Sequence, residues 1–400
     1  MGKTITAVVM TLCISVFSAS IFLADAQASS EEKPFVFGLL LVGPYNDHGW
    51  SQAHFEGGKY LESKIPGAEM IYIDRVNPAD RQGVTVPQLA DDMVEKGARL
   101  IIASSDDMKD GIREAAAMHP KVNFVHISGD DALTGKAPDN LANLMGRMEY
   151  GKMMAGFTAA MTTKTGKIAY LGPLVNDETI RLAASCFLGA TYAWEKVLGK
   201  NPRELDFKVT WIGFWFNIPG VTSDPTQVSR NFINEGYDII VSGIDTTEAV
   251  VVAAQKRREG KNAWAIPYDY QGACKGASET CLGVPYYNWG PAYLEIAKKS
   301  MSGKFRSEWI WKSPDWNNIN SAETSTIGFV EGPALSKKSS EELRKFINDL
   351  GSGKLNLFRG PLYYQDGSVF LKEGEIASDK KIWYMEQLLK GMKGRSVAKN

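Results

Sequence analysis

The feature that most limits what this chain can fold into is its alternation of short apolar runs with amphipathic ones. Residues 35–42 are continuous and apolar, the mark of a strand buried on both faces. Residues 48–61 have helical character, 70–73 form a second strand, and 88–95 a helix ended by Gly97. Residues 100–103 read as a strand, 108–118 as a helix and 122–127 as a strand. The pattern then restarts. A helix over 149–161 precedes strand 168–171 and helix 178–197, then strand 207–212 and helix 225–235, then strand 238–241 and helix 246–258, with 264–267 closing the series. Residues 282–286 read as a strand and 291–301 as a helix; the last hundred residues are more irregular, with a helix over 340–350. Strands alternating with helices build a doubly wound parallel sheet. Two successive series predict an α/β protein of two similar lobes.

The N-terminus bears on compartment. Lys3 is the only charge before Asp25, and residues 5–23 between them are apolar. Ala26 and Ala28 then give the small-x-small pattern of a cleavage site, so residues 1–28 are expected to be a cleaved secretory signal and the mature protein periplasmic. A retained anchor is the competing reading, since the run approaches the roughly 20 residues a spanning helix needs. Lipid attachment at Cys13 is not expected, because Met10-Thr11-Leu12 supply no small residue beside it. Export makes disulfides permissible. Cys274 and Cys281 are spaced for a small closed loop, and Cys186 lies in an apolar run. The formal net charge of −1 gives no reason to expect a nucleic-acid partner.

In open α/β sheets ligands bind outside the carboxyl ends of the strands, and there the chain places polar and aromatic groups together. Residues 42–51 offer Asn46, Asp47, Trp50 and Ser51 after a Gly43-Pro44 turn. The bland alternative is that Asp47 caps the next helix and Trp50 is core. Residues 103–107 offer Ser105 and Asp106, again in a sequence that could simply start a helix. Residues 212–217 set Phe214, Trp215 and Phe216 directly after a strand; loops lie at the surface, which favours a stacking platform over core packing. Asp245, Asp269, Asn288 and Trp289 occupy the later loops. Carboxylates accept hydrogen bonds from ligand N–H or O–H groups, and aromatic faces bury a flat ligand. The chain has no Gly-x-x-x-x-Gly-Lys-Ser/Thr, no Gly-x-Gly-x-x-Gly after a strand and no Gly-x-Ser-x-Gly. His48, His54, His119 and His126 have no metal-site spacing, so no metal, cofactor or catalytic residue is expected.

Four segments together carry a family resemblance: the 43–50 loop; Arg147-x-Glu149-Tyr150-Gly151 with Ala155-Gly156; residues 211–216; and Gly236-Tyr237-Asp238-Ile239-Ile240. With them the chain resembles the basic membrane protein family of ABC-transporter substrate-binding proteins, which includes purine nucleoside receptors, from Phe35 to about Gly303. The resemblance implies a type I periplasmic binding fold, two lobes joined by crossing strands, with lobe one over 34–146 plus about 288–320 and lobe two over 147–287 plus about 321–390. It implies a monomer that binds a purine base or nucleoside in the cleft and hands it to an ABC permease in the inner membrane, and no enzyme. Trp50 and Phe216 become the stacking candidates, with Trp215 as alternate. Asp47, Ser105 and Asp106 would reach the ligand from lobe one, Asp245 and Asp269 from lobe two, and Asn288 from a crossing strand. The chain departs from the nucleoside receptors in placing Trp50-Ser51 where they have Phe-Asn, and in lacking an identifiable late basic residue, which puts the ribose subsite in question. Another flat or polar solute (a flavin, a sugar) or a sensory role is the alternative.

Overall fold

The computed structural model describes residues 34–397, together with Met1 and Gly2. The rest of the expected 1–28 leader, including Cys13, lies outside the described residues.

β1 (Phe35–Leu40) is buried along its whole length, as its unbroken apolar sequence requires. α1 (Trp50–Lys64), β2 (Ala68–Ile73), α2 (Val86–Glu95), β3 (Leu100–Ala103), α3 (Lys109–Met118), β4 (Asn123–His126), a short α4 (Asp131–Thr134) and β5 (Leu141–Gly146) follow. α2 starts where its sequence says it should: Thr85 and Gln88 form a reciprocal capping box, with Pro87 in the first turn. The chain then enters α5 (Met148–Thr162), β6 (Lys167–Gly172), α6 (Asp177–Tyr192), β7 (Asp206–Trp211), α7 (Pro225–Asn234), β8 (Ile239–Ser242), α8 (Glu248–Arg258) and β9 (Trp264–Ile266). α6 is capped by a second box, Asn176 with Thr179, and runs on into a π-helical turn over Ala193–Val197. β10 (Gly283–Tyr287), α9 (Gly290–Met301), β11 (Trp309–Lys312), β12 (Ile327–Glu331), α10 (Lys337–Gly351), β13 (Leu362–Tyr363), β14 (Val369–Leu371), α11 (Asp379–Trp383) and β15 (Met392–Lys393) complete the order.

Two parallel sheets result. The first runs β11-β5-β4-β3-β1-β2 and the second β15-β7-β6-β8-β9. β10 and β12 pair antiparallel as a ribbon, with Gly283 opposite Glu331 and Tyr287 opposite Ile327. The chain passes between the sheets at Arg147, after Tyr287, and again between β11 and β12. In each sheet the order reverses about one central strand, β1 in the first and β6 in the second, so a ligand crevice is expected outside the carboxyl ends of the strands around each.

α5 and α6 pack very closely. A Cβ on Gly156 would stand 1.8 Å from the Cys186 carbonyl oxygen, so only glycine permits this approach. Cys186 is buried, and Cys274 and Cys281 are joined, their Cα atoms 5.9 Å apart.

Candidate functional site

The loops after β1, β3 and β4 on one side, and after β6, β7, β8 and β9 on the other, enclose a small cavity with about 30 Å³ of free space. Trp50, Ser105 and Ser128 line it from the first sheet, and Tyr170, Glu178, Trp215, Asp245 and Tyr268 from the second. The two sides touch. A Cβ on Gly49 would lie 1.6 Å from the backbone oxygen of Asp245, so the cleft is closed to van der Waals contact.

Trp50 opens α1, and its indole Nε1 donates to the Ser104 carbonyl at 2.6 Å, which fixes the ring at the cavity wall. Behind it stands a stacked column. Trp289 lies parallel to His54 (centroids 4.5 Å apart) and to Tyr287 (4.6 Å), and Trp50 meets Tyr287 edge-on at 5.2 Å. His54 is fully buried, and burial holds its imidazole well below the ordinary range. Its Nδ1 shares a hydrogen bond with the Tyr293 hydroxyl at 2.5 Å.

Of the residues singled out from sequence, Trp50, Ser105, Asp106, Trp215 and Asp245 line the cavity together. Asp269 is fully buried, and the negative charge of its carboxyl helps to raise that of Asp245. Its backbone holds φ at +70° between the Pro285 oxygen and the Tyr287 amide, 3.2 and 3.0 Å away. Neither of its carboxylate oxygens has a hydrogen-bond partner among the described residues. The remaining candidates are not brought to the wall. Asn46 is exposed. Asp47 gives its carboxylate to α1, accepting from the amides of Gly49 (2.8 Å), Ser51 (3.0 Å) and Gln52 (3.0 Å), the capping role that the same sequence also allowed. Phe216 meets Phe214 edge-on at 5.1 Å and packs against the core of the first sheet. Asn288 ties down the turn before β12, donating to the oxygens of Ser321, Ala322 and Ser325, the last at 2.8 Å. Trp289 is wholly inside the column.

Tyr170, Glu178 and Ser128 escaped the sequence reading. Glu178 lies in the first turn of α6, just after the loop that follows β6, where the carboxyl-end rule applies as strongly as after β1 or β8. Tyr170 lies inside a strand, where nothing distinguishes it from core. Among the described residues no lysine or arginine lines the cavity. Behind the wall lies Lys152, fully buried, with its ammonium 3.1 Å from the centre of the Tyr268 ring and bonded to the Ser242 oxygen at 2.7 Å.

Burial dominates the titration of this region. It drives the Asp245 and Asp269 carboxyls well above the carboxylate range, the second against the pull of Lys152. It raises Glu178 to about 7, against Arg181, and lowers Lys152 to about 7, against Asp269. Between the ordinary glutamate value and pH 7 the folded Glu178 keeps a proton that the unfolded chain releases, so stability falls as pH rises through that window, by about 3 kcal/mol. Above pH 7 the unfolded chain holds a proton on Lys152 that the folded state lacks, so stability recovers towards pH 10. Asp245 and Asp269, raised in the same sense, add to this fall, so melting temperatures are expected to drop from pH 5 towards neutrality, and Glu178→Gln to make that acid limb shallower. An unchanged acid limb in that variant would exclude Glu178 as one of its sources.

Comparison with known proteins agrees with this architecture. Residues 35–349 match the family described as ABC transporter substrate-binding protein, PnrA-like. A purine-binding protein of Brucella abortus is 30% identical over 372 residues, covering 93% of this chain and 96% of that protein. Basic membrane protein A1 of Borrelia garinii is 21% identical over 61% of this chain and 67% of its own length. Among solved structures, an ABC transporter solute-binding protein of Aeropyrum pernix superposes with a TM-score of 0.63 at 13% identity, over 81% of this chain and 93% of that one, a likeness of fold alone. The match over most of the chain, on a two-sheet fold with a cavity at the strand ends, makes this protein a member of the PnrA-like family of ABC transporter substrate-binding proteins.

Proposed function

We propose that the chain captures a purine base or nucleoside in this cavity, in the periplasm and as a monomer, and passes it unaltered to an ABC permease of the inner membrane. The lobes that close on it are residues 34–146 with about 288–320, and 147–287 with about 321–390. The observation that carries the reading is the composition of the wall: the rings of Trp50, Trp215, Tyr170 and Tyr268 beside Asp106, Glu178 and Asp245, with no lysine or arginine among them. Aromatic walls suit a flat heterocycle. Carboxylates with no lining cation suit a ligand that offers N–H or O–H donors and carries no phosphate. The similarity to a purine-binding relative supports the same class.

The test is isothermal titration with adenine, guanine, their nucleosides, glucose and riboflavin, alongside melting temperatures, since a ligand selective for the folded state raises Tm by mass action. A purine is expected to bind, and Trp50→Ala to weaken it roughly 10- to 100-fold by removing one ring face and the edge contacts that hold it. Asp245→Asn is expected to weaken purines that present an amino group more than those that do not. Binding of glucose or riboflavin with no response to any purine would leave the capture role and remove the purine.

A further inference from the structure

The family match ends at residue 349, and the chain continues beyond it as an ordered segment. That segment is fastened to the second sheet. β15 extends the edge of β7, pairing Met392 with Phe207 and Lys393 with Lys208. Trp211 Nε1 donates to the Arg395 oxygen at 2.7 Å, and Gln365 Nε2 to the Met392 oxygen at 2.9 Å. Between these anchors, α11 and the residue after it reach the elements of the first sheet. Trp383 stands edge-on to Trp309 (4.9 Å) and Trp311 (5.1 Å) of β11. The Tyr384 hydroxyl donates to Asp130 Oδ2, after β4, at 2.7 Å. Asp379 takes both terminal nitrogens of Arg147, at the passage from the first sheet into α5.

The same segment forms part of the binding region. Trp383 and Tyr384 line a polar chamber of about 250 Å³, and that chamber shares Asp106, Ser128 and Glu178 with the main cavity. A tail rooted on one sheet, touching the other, and walling the chamber that adjoins the ligand site must move when the two sides part.

We propose that residues 378–385 are a latch on the cleft, with the Tyr384–Asp130 hydrogen bond as its releasable catch. Trp383 is buried and supplies a dry contact, whereas Tyr384 is 36% exposed, so its bond is exchanged for water without stranding a buried group. Only the ligand arm of the test rests on the function proposed above.

The deciding experiment is hydrogen exchange on the unliganded protein, comparing wild type with Tyr384→Phe, a change too small to unfold the chain. Amide exchange is expected to accelerate roughly three- to tenfold, the range for losing one hydrogen bond to a carboxylate at a partly exposed site. The acceleration is expected at 127–134 and also in the loops 43–49 and 243–247, which share no hydrogen bond with the tail. Faster exchange in those distant loops supports a latch. Acceleration confined to 127–134 and 383–385, or none, overturns it, because the bond is then only local. In the ligand arm, adenine is expected to leave Tyr384→Phe and Asp130→Asn three- to tenfold faster than wild type. If wild type does not bind adenine, the purine assignment fails while the exchange comparison still decides the latch.

Discussion

Gly49→Ala is expected to lower ligand affinity at least a hundredfold and to lower the melting temperature of the unliganded protein as well. The added methyl would sit 1.6 Å from the Asp245 backbone oxygen, and a backbone atom in a loop fixed by the 3.0 Å bond from its own amide to the Trp215 oxygen cannot step aside. Gly49 has φ of −144° with ψ of −131°, outside the regions open to alanine, so the substitution strains the loop as well as holding the two sides apart. A ligand gains its contacts with Asp245 and Trp215 only when Trp50 and Ser105 are brought opposite, so a cleft held ajar loses about half of them. Because binding and closure are linked, the loss is set by the energy of forcing the loops apart. Calorimetric titration with the best ligand, together with Tm without ligand, checks both halves. Wild-type affinity in Gly49→Ala would mean that the two loops separate in the liganded state.

Arg181→Met is expected to destabilise the fold by about 3–5 kcal/mol, the range for stripping one partner from a buried ion pair. Arg181 is 2% exposed, and its Nε donates to Glu149 Oε1 at 2.7 Å. Its guanidinium lies 4.2 Å from the Trp383 ring, and Glu178 Oε2 approaches its far nitrogen at 3.9 Å. Removing the cation leaves the Glu149 carboxylate buried on α5 with only the weaker pull of Arg147 to offset it. Melting temperature is expected to drop roughly 6–10 °C. Glu149→Leu with Arg181→Leu removes both charges and is expected to recover most of the loss, since a well-packed apolar pair often equals a buried ion pair. A single variant as stable as wild type would show that Glu149 is held neutral in the native protein.

The framework of both sheets was legible because buried parallel strands are written as unbroken apolar runs. β1, β3 and β8 are buried at every position, and each was found within two residues of its bounds. β5 was not found, and its interior Asn143 shows why. That polar residue breaks the apolar run, yet it is fully buried because its amide accepts from Ala132 at 2.8 Å and donates to the Ser128 oxygen at 3.2 Å. β11 is half-exposed at a sheet edge and joins β5 across more than 160 residues of chain, a pairing no local pattern records. The site divides in the same way. Trp50, Ser105 and Asp245 are found by position, directly after strands on either side of a topological reversal. Asp47 carries the same signature and is consumed by its helix. Asn288 and Trp289 lie beside the crossing ribbon, where the chain turns inward, so their side chains serve the turn and the core rather than the cleft.

The pairing of β15 with β7 has a practical bearing on how the protein is handled. A strand left open at a sheet edge offers its amides and carbonyls to any other extended segment, including the same edge of another molecule. Met392 and Lys393 cover that edge, and Lys393 adds a charge bonded to Asp206 at 2.8 Å. Trimming the gene at residue 349, where the family match ends, would therefore uncover Phe207 and its neighbours, and yield material prone to self-association during purification. An affinity tag fused close behind this strand would compete for the same hydrogen bonds, so a spacer of several flexible residues belongs between them.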